Sequence, residues 1–356
     1  MTESSSAHLV TESRVNRLVL IDGNAILHRA YHAIPPLTSP KGVLVNAVYG
    51  FASMLLRLKT DLAPTYLVVC FDRPKPTFRK ELFKGYQAKR PKMDDELVGQ
   101  IEIVHDLVRA FTLPIFEMDG FEADDVIGTI VTKCKDDRKI KTQDEHKISR
   151  SSDNSSRAPH VDEVIIVTGD KDLLQLVDDH VFCYMPTKGL SEAKLYGEKE
   201  ARERLGVDPK QIPDYKALAG DPSDNYPGVA GIGPKTAGDL LNKFHTVEAL
   251  YKALDKNAHI EGTSEGVLEK LRKDRENAFM SKTLATIKTD VPIDITYVAL
   301  KEEQFSNENV IEVLQNLGFQ SLVKRLTKRE DGNVSEKKKA KKLTETKDAG
   351  EQLSLV

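Results

Sequence analysis

Short apolar runs recur along the chain, and three of them close on an acid. RLVLID (17–22), TYLVVCFD (65–72) and VDEVIIVTGD (161–170) each read as a buried strand running into a turn. Between them, AVYGFASMLLRL (47–58) and DELVGQIEIVHDLVRAF (95–111) space their apolar residues at helical period. Strands alternating with helices predict an α/β fold built on a mostly parallel sheet. Open parallel sheets bind ligands beyond the carboxyl ends of their strands, which is where Asp22, Asp72, Asp170 and Asp172 fall.

Two more acidic stretches extend the set. In DGFEADDVIGTIV, Glu122, Asp124 and Asp125 open a helix; in GDPSDNYPG, Asp221 and Asp224 sit in a Pro/Gly loop. Each has an ordinary explanation taken alone, as a helix cap or an Asx turn, and Asp170 is equally well placed to cap the helix that follows it. Nine acids at strand ends and loops are harder to explain singly. Two bare carboxylates about 4 Å apart repel by roughly 4 kcal/mol at an effective dielectric of 20. If the loops converge, divalent cations are the natural neutraliser, and an all-oxygen ligand set without His or Cys selects Mg²⁺ or Mn²⁺ over zinc. Two such ions are suited to hydrolysing a phosphodiester.

Composition narrows the setting. The chain of 356 residues suggests about two domains, with 40% hydrophobic and 30% charged residues. Three scattered cysteines, Cys70, Cys134 and Cys183, form no CxxC pair and point to a reducing, cytoplasmic environment. MTESSSAHLVTESRVNR lacks the apolar core of a signal peptide, and no run approaches a membrane span. The net charge of −3 is unremarkable, but from Arg73 to Lys92 eight Lys/Arg face one acid, Glu81. That run is either a solvated helical face or a cationic surface for nucleic acid.

GVAGIGPKTAGDLLNKF is not a P-loop, because Pro234 separates Gly233 from Lys235 and no strand precedes it. Leu20, two residues before Asp22, leaves no nucleophile for haloacid-dehalogenase chemistry. GIGPKTAGDLL fits a helix-hairpin-helix: Gly231 and Gly233 permit a tight turn, and the next helix offers N–H groups to a phosphate, joined by Lys235 and Thr236. Such a hairpin grips duplex backbone without reading bases.

The ordered series LVLIDGNAILHRAYHA, VVCFDRPKPTFRKELFKGYQAKRP, GFEADDVIGTI, VTGDKDLLQLV and ALAGDPSDNYPGVAGIGPKTA resembles the 5′-nuclease family. That family includes the 5′-to-3′ exonuclease domain of bacterial DNA polymerase I and the flap endonucleases. The resemblance covers about residues 16 to 320. It implies a PIN-like nuclease domain with a helical arch and a helix-hairpin-helix module. By resemblance Asp22, Asp72, Glu122, Asp124 and Asp125 belong to a first metal group, and Asp170, Asp172, Asp221 and Asp224 to a second. The basic run matches the arch: Tyr86 is expected to stack on a base, Lys89 and Arg90 to act at the scissile phosphate, and Arg73, Arg79 and Lys84 to bind DNA. The family pattern Tyr-Lys-x-x-Arg is broken here, where Gln87 follows Tyr86 and Lys89 precedes Arg90. The resemblance also implies K⁺ held by hairpin carbonyls.

The expected organisation is a disordered 1–15, a nuclease domain over 16–205 with the arch at about 73–110 and a disordered insertion at 136–160, a helix-hairpin-helix domain over 206–326, and a charged tail, 327–356. Within that tail Gln352, Leu353 and Leu355 resemble a sliding-clamp peptide that ends in Val356. The implied activity is metal-dependent cleavage near 5′ ends of flaps, nicks and RNA-primed DNA in replication and repair, by a monomer associated with the nucleoid and working alone or with a separately encoded polymerase. A non-catalytic branched-DNA binder would be favoured by missing carboxylates, and a PIN-type ribonuclease by the absence of the hairpin and basic run.

Overall fold

The computed structural model describes residues 15–145, 161–189, 192–256, 262–295 and 307–327, with Ile260 and Phe305. The first 14 residues, 146–160 and the clamp-like peptide lie outside the described residues.

A six-stranded sheet forms the centre, with β1 (Arg17–Asp22), β2 (Tyr66–Cys70), β3 (Ile115–Phe116), β4 (Glu163–Val167), β5 (Val181–Lys188) and β6 (Glu192–Tyr196) in the order β3-β2-β1-β4-β5-β6. The first five run parallel and β6 is antiparallel to β5. The chain leaves β1 in one direction and returns past it to β4, so the order reverses between these two strands. That crevice is where open parallel sheets take their ligands.

Each central strand is apolar on both sides, as a doubly covered sheet requires. Leu18, Leu20, Val68, Val164 and Ile166 face one core, and Val19, Ile21, Leu67, Val69, Ile165 and Val167 the other. The second core is covered by α1 (Gly23–Ala33), α2 (Asn46–Asp61) and α4 (Asp95–Ala110). α4 buries Leu97, Gln100, Val104, Leu107 and Val108, a stripe at helical spacing. It is therefore a core helix, and the arch expected to reach residue 110 ends before it. Only α3 (Phe78–Leu82) is helical between β2 and α4, and residues 83–94 are turns and loop.

The first core is covered by α5 (Ala123–Glu145) and runs without interruption into a helical module of α6 (Glu198–Leu205), α7 (Ile212–Ala219), α8 (Pro234–Phe244), α9 (Val247–Asp255), α10 (Glu265–Lys273) and α11 (Arg275–Ala285). α5 continues well into the stretch expected to be disordered from 136, because KDDRKIKTQDE contains no Gly or Pro and is rich in good helix formers.

After the module the chain returns to the opposite face of the sheet. Phe305, Val310, Leu314, Phe319, Leu322, Val323 and Leu326 join the core of α2 and α4, and the Asn307 amide donates to the Ala110 carbonyl at 3.2 Å. The expected boundary, which gave all of 206–326 to the helix-hairpin-helix unit, therefore differs from the packing: Phe305 and residues 307–326 complete the core on this face of the sheet. Cys70, Cys134 and Cys183 are free and buried. Among the described residues, no helix is long and apolar enough to cross a membrane.

Candidate metal centre

Strand pairing sets Asp22 opposite Cys70, so Asp22 and Asp72 leave neighbouring strands at the same edge. Asp22 caps α1, accepting from the Ala25 N–H at 3.0 Å, and its other oxygen accepts from the Thr168 hydroxyl at 2.7 Å. Thr168 thereby ties the end of β1 to the end of β4. Asp72 accepts from the Ala123 N–H at 2.7 Å, which places the start of α5, with Asp124, beside both. Glu122 accepts from the Thr77 hydroxyl at 3.2 Å and the Tyr86 hydroxyl at 3.1 Å. Capping and clustering are thus the same act: backbone amides hold the carboxylates in place without neutralising them.

The electrostatic cost is visible in the titration of this group. Burial, followed by Asp72 and Asp170, pushes Asp22 up to about 7 against the Ala25 amide and the Thr168 hydroxyl. Burial likewise pushes Glu122 up to about 7, with Asp72, Asp125 and Asp224 adding repulsion against Arg79. Asp72 is raised chiefly by burial. Asp124, raised by burial and then by Asp170, Asp22, Glu122 and Asp72, lies well above the ordinary carboxylate range. A set of crowded, oxygen-only donors whose charge is disfavoured by desolvation and mutual repulsion fits a hard divalent ion.

Asp125 does not join them. It is fully buried, and both its oxygens are engaged: Arg79 Nη1 at 2.7 Å, Arg79 Nη2 at 2.8 Å, the Glu122 N–H at 3.1 Å and the Lys288 N–H at 2.8 Å. This corrects two expectations together, since Arg79, only 3% exposed, cannot reach DNA while it forms this fork.

The second group forms around Asp172, Asp221 and Asp224, whose carboxylate oxygens lie within 4.8 Å of one another. Asp170 is at its edge, capping the turn through its acceptance from the Asp172 N–H at 2.9 Å. The loop carrying Asp221 and Asp224 is closed by two glycines. A Cβ on Gly228 would come within 2.3 Å of the Gly220 nitrogen, and one on Gly220 within 2.5 Å of the Pro227 oxygen. Lys216 of α7, unremarked in the sequence, donates to both Asp172 and Asp221. Asp221 is lowered, because Lys216 and Ser223 outweigh its burial. Asp172 is instead pushed up to about 7 by burial and Asp170 despite Lys216. The ammonium bridges the two carboxylates, with burial and Asp170 holding Asp172 up while Asp221 is lowered. A lysine one helical turn before the acidic loop was the only sequence signal for this pairing.

The arch residues turn inward. Tyr86 is 4% exposed and lies parallel to Tyr226, ring centroids 6.5 Å apart, so it is not offered to a base in this conformation. Arg90 pairs with Asp224 at 2.8 Å, and the Gln87 N–H, at a left-handed φ of 53°, donates to the Asp224 carbonyl at 2.8 Å. Arg73 and Lys75 pair with Asp119, and Arg73 also with Glu117. Lys80, Lys84 and Lys89 are exposed, and among the described residues no acid pairs with them. At the hairpin, Gly231 has a φ of 76° and its carbonyl accepts from Lys270 at 3.3 Å, so an ammonium occupies one carbonyl expected to face K⁺. Gly233 caps α8, and a Cβ there would meet nothing within 4 Å. Lys235 is exposed and Thr236 half-buried in the first turn of α8.

A mostly parallel sheet that gathers carboxylates where its strand order reverses, with a helical module attached, defines the class of fold. The family models agree: residues 17–154 match the 5′-3′ exonuclease N-terminal resolvase-like domain, and residues 207–308 its C-terminal SAM fold. The chain belongs to the 5′-3′ exonuclease family. It is similar to DNA polymerase I of Bacillus subtilis (38% identity, 87% of this chain, 32% of the relative). Its similarity to DNA polymerase I of Pseudomonas aeruginosa is 42% identity over 85% of this chain and 31% of the relative. It thus spans about a third of the length of these relatives. Among solved structures it shares its fold with a zinc-bound T5 5′-exonuclease (TM-score 0.59, 20% identity, 88% of this chain and 98% of that one). A T5 D15 flap endonuclease complex with DNA and metal ions is similar at TM-score 0.58 and 20% identity over 88% and 97% of the two chains.

Proposed function

We propose that this chain is a structure-specific, Mg²⁺- or Mn²⁺-dependent 5′-nuclease that cuts near the 5′ ends of flaps, nicks and RNA-primed DNA in replication and repair. The observation that carries the reading is the crowding of Asp22, Asp72, Glu122 and Asp124 at the point where the sheet order reverses, with their titration raised by burial and mutual repulsion. Asp22, Asp72, Glu122 and Asp124 would hold a divalent ion here, which would supply a more acidic bound water and charge stabilisation for phosphodiester hydrolysis.

The chain's own residues supply the rest. The amides at Ala25 and Ala123 and the Thr168 hydroxyl hold the carboxylates in register. The first turn of α8, with Lys235 and Thr236, offers N–H groups and side-chain donors to the backbone of a duplex. Lys84 and Lys89 draw the 5′ strand toward the crevice through long-range attraction. Tyr86 orients Glu122, and Arg90 exchanges Asp224 for the scissile phosphate when the strand enters. The tail peptide with Gln352, Leu353 and Leu355 tethers the enzyme to a sliding clamp, and its deletion should weaken clamp affinity.

The test is cleavage of a 5′-labelled flap duplex in Mg²⁺ by wild type and Asp124→Asn, beside binding of the same duplex in Ca²⁺. Wild type is expected to cut near the junction, and the variant to bind without cutting. Binding without cleavage by wild type in Mg²⁺ and Mn²⁺ would overturn the catalytic reading.

A further inference from the structure

Five consecutive residues running out of the end of α11 bond to Arg79, Asp125 and Gln175, which stand beside the two acidic groups. The carbonyl of Leu284 accepts from Arg79 Nε at 2.9 Å, and that of Ala285 from Gln175 Nε2 at 3.0 Å. Thr286 returns to Arg79, its carbonyl 3.3 Å from Nη2. The Ile287 N–H then donates to Gln175 Oε1 at 3.0 Å, and the Lys288 N–H to Asp125 Oδ1 at 2.8 Å. Partners alternate residue by residue, as backbone groups of an extended strand alternate between its two sides.

Each side leads to one carboxylate group. Gln175 Nε2 also donates to the Asp172 carbonyl at 3.0 Å, so the amide joins this segment to the turn carrying Asp170 and Asp172. On the other side, Asp125 accepts from the Glu122 N–H while held by Arg79, so the fork joins the segment to the start of α5, where Glu122 and Asp124 lie. α5 presses close: a Cβ on Gly128 would sit 2.5 Å from Ile287 Cγ2 and 2.9 Å from the Lys288 oxygen. The segment is wedged and attached at two points on the Gln175 side and three on the Arg79–Asp125 side, so neither group can slide relative to the other without breaking at least a pair of hydrogen bonds.

We propose that Leu284–Lys288 is a spacer that sets the distance between the two carboxylate groups, with Gln175 and the Arg79–Asp125 fork as positioning residues on its two edges. The proposal rests on the two-ion nuclease reading, because in-line displacement needs its ions about 3.5–4 Å apart. It also gives Asp125 and Arg79 a role that neither metal ligation nor DNA contact supplies. Since the segment closes α11, which packs on α7, the same spacer links the duplex-gripping module to the ion spacing.

The test uses Gln175→Met, which keeps side-chain length and removes all three hydrogen bonds of the amide. Mn²⁺ binding is followed by electron paramagnetic resonance without DNA, and flap cleavage is measured in parallel. Wild type is expected to show a spin-coupled ion pair. The variant should keep the first ion, weaken the second at least tenfold or lose the coupling, and lose kcat with KM for the flap unchanged. A folded variant with wild-type Mn²⁺ coupling and affinity overturns the spacer alone, whereas a wild type that binds no ion pair and does not cut overturns the nuclease reading and the spacer with it. If the variant does not fold, hydrogen exchange on wild type decides. Mn²⁺ should slow exchange of the Ile287 and Lys288 amides at least tenfold, and unchanged exchange there counts against the spacer.

Discussion

The two acidic groups differ in what balances them. Among the described residues no cation pairs with Asp22, Asp72 or Asp124, and desolvation and mutual repulsion raise all three. Around Asp172, Asp221 and Asp224 the protein's own cations, Lys216 and Arg90, take up part of the charge, although burial still raises Asp172 and Asp224. A divalent ion entering the first group displaces protons, and one entering the second competes with an ammonium and a guanidinium. Binding at the first should therefore be strongly pH-dependent, and binding at the second should depend on whether Lys216 and Arg90 can move aside.

Substitution should separate the groups by sign. The largest effect is expected from Asp124→Asn, which should lower flap cleavage on the order of 10³-fold, the upper end for removing one charge-stabilising contact from a reacting centre. The same change should raise the melting temperature of the metal-free protein, because it removes a buried, repelling carboxylate. Lys216→Met should do the opposite. Without metal it strands Asp172 and Asp221 and should cost about 3 kcal/mol, the scale of breaking a buried pair, and saturating Mg²⁺ should recover most of that loss. If both variants shift metal-free melting in the same direction, the contrast between the groups fails.

The next effect is one of pH. Asp22, Glu122 and Asp172 are each pushed up to about 7, above the ordinary carboxylate value they have when unfolded. Between about pH 4 and 7 the folded state thus holds more protons than the unfolded state, and stability falls as pH rises through that window. Metal-free protein should melt lower at pH 8 than at pH 5.5, whereas Mg²⁺ should flatten the slope, adding ~2.7 kcal/mol at a hundredfold excess over its Kd. A metal-free melting temperature that rises over this range would contradict the proton-balanced picture. The smallest effect is expected from Gln87→Lys, which adds a cation beside Asp224. Single-turnover cleavage should stay level or rise by at most about tenfold, ~1.4 kcal/mol in activation free energy.

Seven of the nine acids were legible in the sequence because each follows a strand or opens a helix, positions that the hydrophobic pattern marks without knowledge of packing, and Asp221 and Asp224 were marked by their Pro/Gly loop. Their partners were not. Arg79 looked like one more exposed base in a basic run, yet the acid that buries it lies 46 residues away. Glu117, Asp119 and Asp224, which pair with Arg73, Lys75 and Arg90, lie outside the window in which the run was counted. Gln175 sits in an apolar stretch, and nothing local reveals that its amide meets residues 285 and 287. The arch boundary was misplaced because the Leu97–Val108 stripe shows that a helix is amphipathic but not what it packs against. Pairwise long-range chemistry, rather than periodicity, decided each of these.

The return of residues 305–326 to the face of α2 and α4 has a consequence for synthesis. The Asn307 amide reaches back 197 residues to Ala110, and Phe305 lies 5.5 Å from Phe111 between ring centroids. At about 5–20 residues per second, a ribosome needs on the order of 10–40 s to travel from Ala110 to Leu326. For most of that interval Leu107 and Phe111 are outside the tunnel without the segment that covers them, although every acid of the crevice is made before the interval ends. The nascent chain therefore passes through a stage in which its chemistry is complete and its surface is not, and that is when a holding chaperone has an apolar face to bind.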